Sequence, residues 1–262
     1  MAAQRFLKES TFLKEEVSRM REPTVGIIYP DHAAEDDYPL AAAALGVHLP
    51  VAHIYGTDLH AVPELLDLGS PDKLRGGVTQ LATHRPDAVV WACTSGSFVY
   101  GPTGLREQAR TLATAAGVPA TSTSLAFADA VHTLGLHTVA VAASYPDEVA
   151  ELFVEFLTDA DIDVVSMSSA GIDTAAEVGT LAPRDVVHLA VDNDHPRAQA
   201  LLVPDTAMHT MGVLTELEAT LGKPVLTANQ VSIWAGLRLA GAAPVASGFG
   251  TLFAERQTDA GR

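Results

Sequence analysis

Hydrophobic positions along the chain fall into short, near-continuous runs separated by longer helix-like segments. The runs TVGIIYP (24–30), VAHIY (51–55), DAVVWACT (87–94), HTVAVAA (137–143), IDVVSM (162–167) and QALLVP (199–204) read as strands. Strands that are apolar on both faces and alternate with helices predict a parallel sheet covered on each side. No apolar run reaches the roughly 18 residues of a membrane span. The opening MAAQRFLKESTFLKEEVSRMRE (1–22) is charged and lacks the apolar core of a signal peptide. It reads as an N-terminal extension, helical or frayed, and the expectation is a cytoplasmic protein.

The pattern repeats. TVGIIYPD (24–31) resembles TVAVAASY (138–145), DAVVWACTSGS (87–97) resembles QALLVPDTAMH (199–209), and GVPATSTS (117–124) resembles GKPVLTAN (222–229). From the first block to its partner position lie 69 residues in the first half (24 to 93) and 67 in the second (138 to 205). Three blocks in one order at nearly equal spacing predict a duplicated unit. In that alignment Cys93 matches Asp205 and Thr94 matches Thr206. All four stand at carboxyl ends of strands, where open α/β sheets hold their ligands. Two such halves facing each other would set one reactive side chain on each side of a small substrate.

Composition narrows the chemistry. A formal net charge of −16 opposes nucleic-acid binding, which needs Lys and Arg for phosphate. It leaves room for a small anion held by local N–H groups and hydroxyls. The single cysteine excludes an internal disulfide and a cysteine-based zinc site. A lone cysteine is ordinarily a buried small hydrophobe, but Cys93 ends a strand and is followed by Thr94, Ser95, Gly96 and Ser97. Those hydroxyls and N–H groups suit a carboxylate or a developing oxyanion, and the same donors would lower the thiol pKa. Asp205 follows Val203-Pro204, where partial desolvation suits a general acid or base. The competing expectation is that it caps a helix near 210–221. Tyr145 aligns with Asp31 and is placed to hydrogen-bond a carboxylate, or to be a core-edge tyrosine. His32 and His209 lie near strand ends and complete the candidate set. No HExxH pattern, no GxGxxG and no GxxxxGK[ST] occurs, so neither a metal nor a nucleotide cofactor is expected.

The segments VVWACTSGSFVYG (89–101), Tyr145 with the following PDEV, and GKPVLTANQVSIWAGLRLAG (222–241) resemble the aspartate/glutamate racemase superfamily, in the branch of maleate cis-trans isomerases and arylmalonate decarboxylases. The resemblance runs from about residue 24 to 241. It implies two Rossmann-like parallel-sheet subdomains related by pseudo-two-fold symmetry, an active site in the cleft between them, no cofactor, and two catalytic residues facing across that cleft. Cys93 stands where the first family cysteine stands, and Thr94, Ser95 and Tyr145 match positions that bind the substrate carboxylate. The departures are specific. Asp205 replaces the second cysteine, Pro30-Asp31-His32-Ala33 replaces a PSSN-like motif, Thr174 replaces an Asn, and His209 replaces the Arg of a CTNLRT-like block. The second carboxylate clamp is therefore altered, and a substrate with a different second group fits better than maleate itself.

The expected organisation is an extension (1–22), a first subdomain (23–122 plus 229–262) and a second (123–228), with the helices starting near 124 and 229 crossing to the opposite half. The expected function is a cofactor-independent isomerase, maleate isomerase-like or racemase-like, acting on a small carboxylic or dicarboxylic acid. Cys93 is nucleophile or base and Asp205 its acid/base partner, the two sharing one negative charge as a coupled unit. Thr94, Ser95, Tyr145, Thr206, His32 and His209 bind substrate. Three alternatives stay open: a decarboxylase of a malonate-type acid, a lyase or hydrolase with Cys93 as covalent nucleophile, and a two-lobed small-carboxylate binding protein. Self-association into a homo-oligomer is compatible with the sequence; nucleic-acid and membrane partners are not expected.

Overall fold

The computed structural model describes residues 22–31, 33–56 and 58–255. The extension read at 1–22 lies outside them apart from Glu22, as does His32. Eight parallel strands form two four-stranded sheets. The first contains β1 (Val25–Pro30), β2 (Val51–Ile54), β3 (Ala88–Trp91) and β4 (Ala120–Ser122) in the order β2-β1-β3-β4. The second contains β5 (Thr138–Ala143), β6 (Asp163–Ser169), β7 (Ala200–Val203) and β8 (Val225–Thr227) in the order β6-β5-β7-β8. The central strands β1, β3, β5 and β7 are the near-continuous apolar runs, and almost every residue in them is buried. The three-residue edges β4 and β8 were too short to read as strands.

Strand register reproduces the sequence repeat. Val25 pairs with Ala88 and Val89 with Ala120 in the first sheet; Val139 pairs with Ala200 and Leu201 with Val225 in the second. These are the positions that the three sequence blocks equate. The two halves are thus one α/β unit used twice, related by a pseudo-two-fold axis.

Between the strands run α1 (Asp37–Leu45), α2 (Val62–Leu68), α3 (Pro71–Leu81), α4 (Ser95–Phe98), α5 (Gly101–Ala116) and α6 (Thr123–Thr133). The second half adds α7 (Asp147–Asp159), α8 (Ala175–Val178), α9 (Pro183–Asp192), α10 (Leu214–Leu221) and α11 (Ala228–Leu239). Proline opens α3 and α9, where a missing N–H costs nothing. Gly117 and Gly222, at φ 69° and 64°, end α5 and α10 in the left-handed conformation and lead into β4 and β8.

The helices that follow β4 and β8 both begin behind a hydroxyl residue but are capped by different bonds. Ser122 accepts from Leu125 N at 3.4 Å, and the equivalent Thr227 donates its N–H to Gln230 Oε1 at 3.1 Å. Helix α11 follows the second sheet but packs on the first. A Cβ at Gly236 would sit 2.5 Å from Val25 Cγ1 and 2.9 Å from Val90 Cγ2, so only glycine allows this approach. Helix α6 sets Phe127 against Phe153 of α7, with ring centroids 5.5 Å apart. The Thr123 and Ser232 hydroxyls join the two crossover helices at 2.6 Å.

Candidate active site

The carboxyl ends of β1, β3 and β7 converge on one small cavity of about 30 Å³, whose wall includes Tyr29, His60, Cys93, Ser95, Asp205 and Thr206. Cys93 and Asp205 therefore face the same space from equivalent positions in the two halves.

Cys93 ends the β3 run and precedes the single turn α4. The N–H of Gly96 donates to Sγ at 3.3 Å, and Ser95 Oγ lies 3.8 Å from Sγ. Gly96 is held in turn through its carbonyl, which accepts from Trp91 Nε1 at 3.1 Å and Gln108 Nε2 at 2.9 Å. A Cβ at Gly96 would stand 2.9 Å from the Trp91 ring and 3.1 Å from Sγ, so the glycine in the TSGS stretch is what lets the N–H reach the sulfur. Burial pushes the thiol pKa up to about 11; the Gly96 and Ser95 donors pull it down by less, and Asp205 adds to the rise. The expectation that the loop donors lower the thiol pKa is corrected: they act in that direction, but desolvation outweighs them.

Asp205 is buried at the end of the β7 run. The hydroxyl of Ser144, at the end of the neighbouring strand β5, donates to Oδ2, and Ala207 N donates to Oδ1 at 2.9 Å. Asp205 is not a helix N-cap, because α10 begins at Leu214 behind Val213. Its carboxylate closes a local turn instead. The loop that carries it is fixed from behind. The carbonyl of Thr206 accepts from Tyr29 Oη at 2.7 Å and Asn229 Nδ2 at 3.2 Å. Asn229 also donates to Asp37 Oδ2 at 3.0 Å and accepts from Tyr38 Oη at 2.9 Å. Burial raises the pKa of Asp37, and its Asn229 and Thr210 donors oppose the rise. The first half repeats the motif, with Ser124 Oγ donating to the carbonyl of Thr94 at 2.8 Å. Ser124 and Asn229 are equivalent, as are Thr94 and Thr206.

Of the other residues expected at the site, Ser95 and Thr206 line the cavity. Thr94 and Tyr145 are not among the residues that line it; both are buried, and Tyr145 Oη donates to the Pro204 carbonyl at 2.8 Å. Burial holds the Tyr145 phenol well above its usual pKa, so it stays a neutral donor. His209 stands away from the cavity, with Nδ1 3.0 Å from Asp36 Oδ1. His32 lies outside the described residues.

Sequence reasoning missed Tyr29, Asp37, His60, Ser144 and Asn229. Ser144 and Asn229 sit inside matched blocks, and their repeat partners were the available signal. His60 gave none. It lies in a segment from the first half that crosses to the second: Ala175 N donates to the Asp58 carbonyl at 2.8 Å, His60 N to the Asp173 carbonyl at 2.7 Å, and Leu59 bridges Thr174 in antiparallel fashion. His60 Nε2 lies 3.9 Å from Asp205 Oδ2. No group of three or more His, Cys, Asp or Glu among the described residues is arranged to hold a metal ion, and no described helix is long and apolar enough to cross a membrane.

A family model described as arylmalonate decarboxylase matches residues 70–253. The arylmalonate decarboxylase of Bordetella bronchiseptica is 26% identical over 246 residues, covering 89% of this chain and 97% of that protein. The maleate isomerase of Geobacillus stearothermophilus is 25% identical over 162 residues, 59% of this chain and 64% of that protein. Among solved structures, the maleate isomerase Iso of Pseudomonas putida S16 superimposes with a TM-score of 0.83 at 20% identity, covering 89% of this chain and 99% of that one. The Nocardia farcinica maleate cis-trans isomerase, solved as a mutant with a covalently bound succinylcysteine intermediate, gives 0.80 at 18% identity over 89% and 98% of the two chains.

Proposed function

The chain belongs to the arylmalonate decarboxylase family, and from that premise we propose that it is a cofactor-independent isomerase of small unsaturated carboxylic acids, working through Cys93 and Asp205. One observation carries this reading: a thiol and a carboxylate at equivalent strand ends share the wall of one cavity.

The substrate carboxylate binds at the Cys93–Ser95 turn, where the Ser95 hydroxyl lines the cavity. Sγ bonds to one alkene carbon as its proton passes to Asp205, and the π pair moves toward the carboxylate. Asp205 returns that proton to the adjacent carbon, so sulfur and hydrogen have added across the double bond. The bond is now single and rotates. After rotation Asp205 removes the other hydrogen of that carbon as sulfur leaves with its bonding pair, which restores the alkene as its geometric isomer, and the proton returns to Cys93. The covalent succinylcysteine of the Nocardia farcinica isomerase is an adduct of this type.

A second reading is favoured by a separate observation. A thiol with its pKa raised to about 11 rests as S–H, which is the form that protonates the carbanion left when a malonate-type acid loses CO2. One experiment separates the two. Proton NMR of maleate, fumarate, 2-substituted unsaturated acids and phenylmalonate in deuterated buffer reads isomerisation as new alkene signals. It reads decarboxylation as one deuterium gained with loss of CO2. Isomerisation of none of the unsaturated acids defeats the first reading.

A further inference from the structure

Among the described residues of the cavity wall, His60 alone can carry a positive charge, while Asp31, Asp58 and Asp205 bring three carboxyl groups. An anionic substrate entering such a space needs a compensating charge, because uncompensated charge in a poorly solvated site is costly.

The geometry around His60 offsets one of these wall charges. Nδ1 is 3.0 Å from the carbonyl of Ile172. A carbonyl only accepts, so Nδ1 carries a hydrogen and the neutral ring would turn a bare lone pair at Nε2 toward Asp205 Oδ2, 3.9 Å away. Two electron-rich atoms would then face each other in a buried setting, both side chains being 4% exposed. A proton on Nε2 converts this repulsion into an ion pair. Asp205 is the less suitable holder of that proton, since Ser144 and Ala207 already donate to its oxygens as they would to an anion. The remaining titratable neighbours are Tyr145, whose ring meets His60 edge-on at 5.0 Å, Cys93 on the same wall, and Asp58 and Asp173 along the crossing segment. None of them is cationic.

We propose that His60 is held as the imidazolium beside Asp205, offsetting the Asp205 charge on the wall that a carboxylate must approach. The proton state stands on its own; its kinetic consequence rests on the isomerase reading above. Because His60 reaches Asp205 only through the crossing segment 58–60 and its bonds to 172–175, the charge is present when the two halves are joined there.

The test is ring-nitrogen NMR of protein carrying 15N-labelled histidine at pH 7. His60→Gln, or His60→Asn if that variant does not fold, identifies the His60 signals by their loss. The expected result is a doubly protonated His60 ring in the natural protein and a ring protonated only at Nδ1 in Asp205→Asn. A neutral His60 ring in the natural protein, or the same protonation state in both proteins, overturns the proposal. A doubly protonated ring in a protein that isomerises nothing leaves this inference standing and removes the isomerase reading.

Discussion

The hydroxyl of Ser144 and the carboxylate of Asp205 meet at the ends of neighbouring strands β5 and β7, and Ser144 donates to Oδ2. With Ala207 N on Oδ1, both oxygens have a protein donor. Asp205→Asn can satisfy both partners, turning its carbonyl oxygen to Ala207 and its amide to Ser144. Both hydrogen bonds survive but the charge facing His60 is lost, so we expect a melting temperature lower by several degrees, a difference of about 1–3 kcal/mol. Turnover should fall at least about a hundredfold, the scale of a lost acid/base group. Full activity with unchanged melting would remove Asp205 from the mechanism.

Cys93→Ser keeps the shape of the turn and the Gly96 contact but replaces the thiol with a far weaker acid and nucleophile. Activity should drop by at least about a hundredfold, with the fold retained by circular dichroism. Mass spectrometry after mixing with an unsaturated acid should find an adduct on the natural protein and none on this variant.

The pH dependence follows from the raised thiol pKa. With a pKa of about 11, Cys93 is thiol at neutral pH and its thiolate fraction rises about tenfold per pH unit until that value is approached. Alkylation by iodoacetamide should therefore climb steadily from pH 7 to 10 without levelling. The folded pKa lies above the ordinary thiol value, so the stability contributed by the buried neutral thiol is present below pH 9 and is lost as pH rises from 9 toward 11. Removing the Asp205 charge in Asp205→Asn should shift the alkylation curve to lower pH. A plateau by pH 8 in the natural protein would contradict the burial argument.

Asn229→Ala removes donors from the Thr206 carbonyl and the buried Asp37 carboxyl at once. Tyr29 still serves the Thr206 carbonyl and Thr210 N still serves Asp37, so the group left unpaired is the buried Tyr38 hydroxyl, at about 1–3 kcal/mol. Both chemical stability, by urea titration, and kcat should fall, because the same side chain holds the loop that carries Asp205. Loss of stability with kcat intact would show that the loop keeps its shape without it.

Much of this was legible in the chain. The six longer strands, the duplicated unit and the pairing of Cys93 with Asp205 followed from apolar runs and block spacing, because local hydrophobic pattern fixes strands and a repeat fixes their partners. The edges β4 and β8 escaped because three residues, such as Ala120–Ser122, carry too little pattern. His60 escaped for a different reason. Its bond to Ile172 spans 112 residues and comes from a crossing that no local signal announces. The direction of the Cys93 shift was misjudged because hydrogen-bond donors are visible in the sequence TSGS, whereas the depth of burial is set by the packed halves.

The placement of α11 ties the two halves together. It is the last helix of the second unit, but the close approach of Gly236 to Val25 and Val90 puts it on the first sheet, while α6 of the first unit sets Phe127 on Phe153 of the second. Each half is completed by a helix of the other, so neither sheet is covered by its own unit alone. Within one chain, the two strand-end positions have no need to be identical. One position then holds sulfur and the other a carboxylate, a division that a symmetric pair of identical chains cannot achieve.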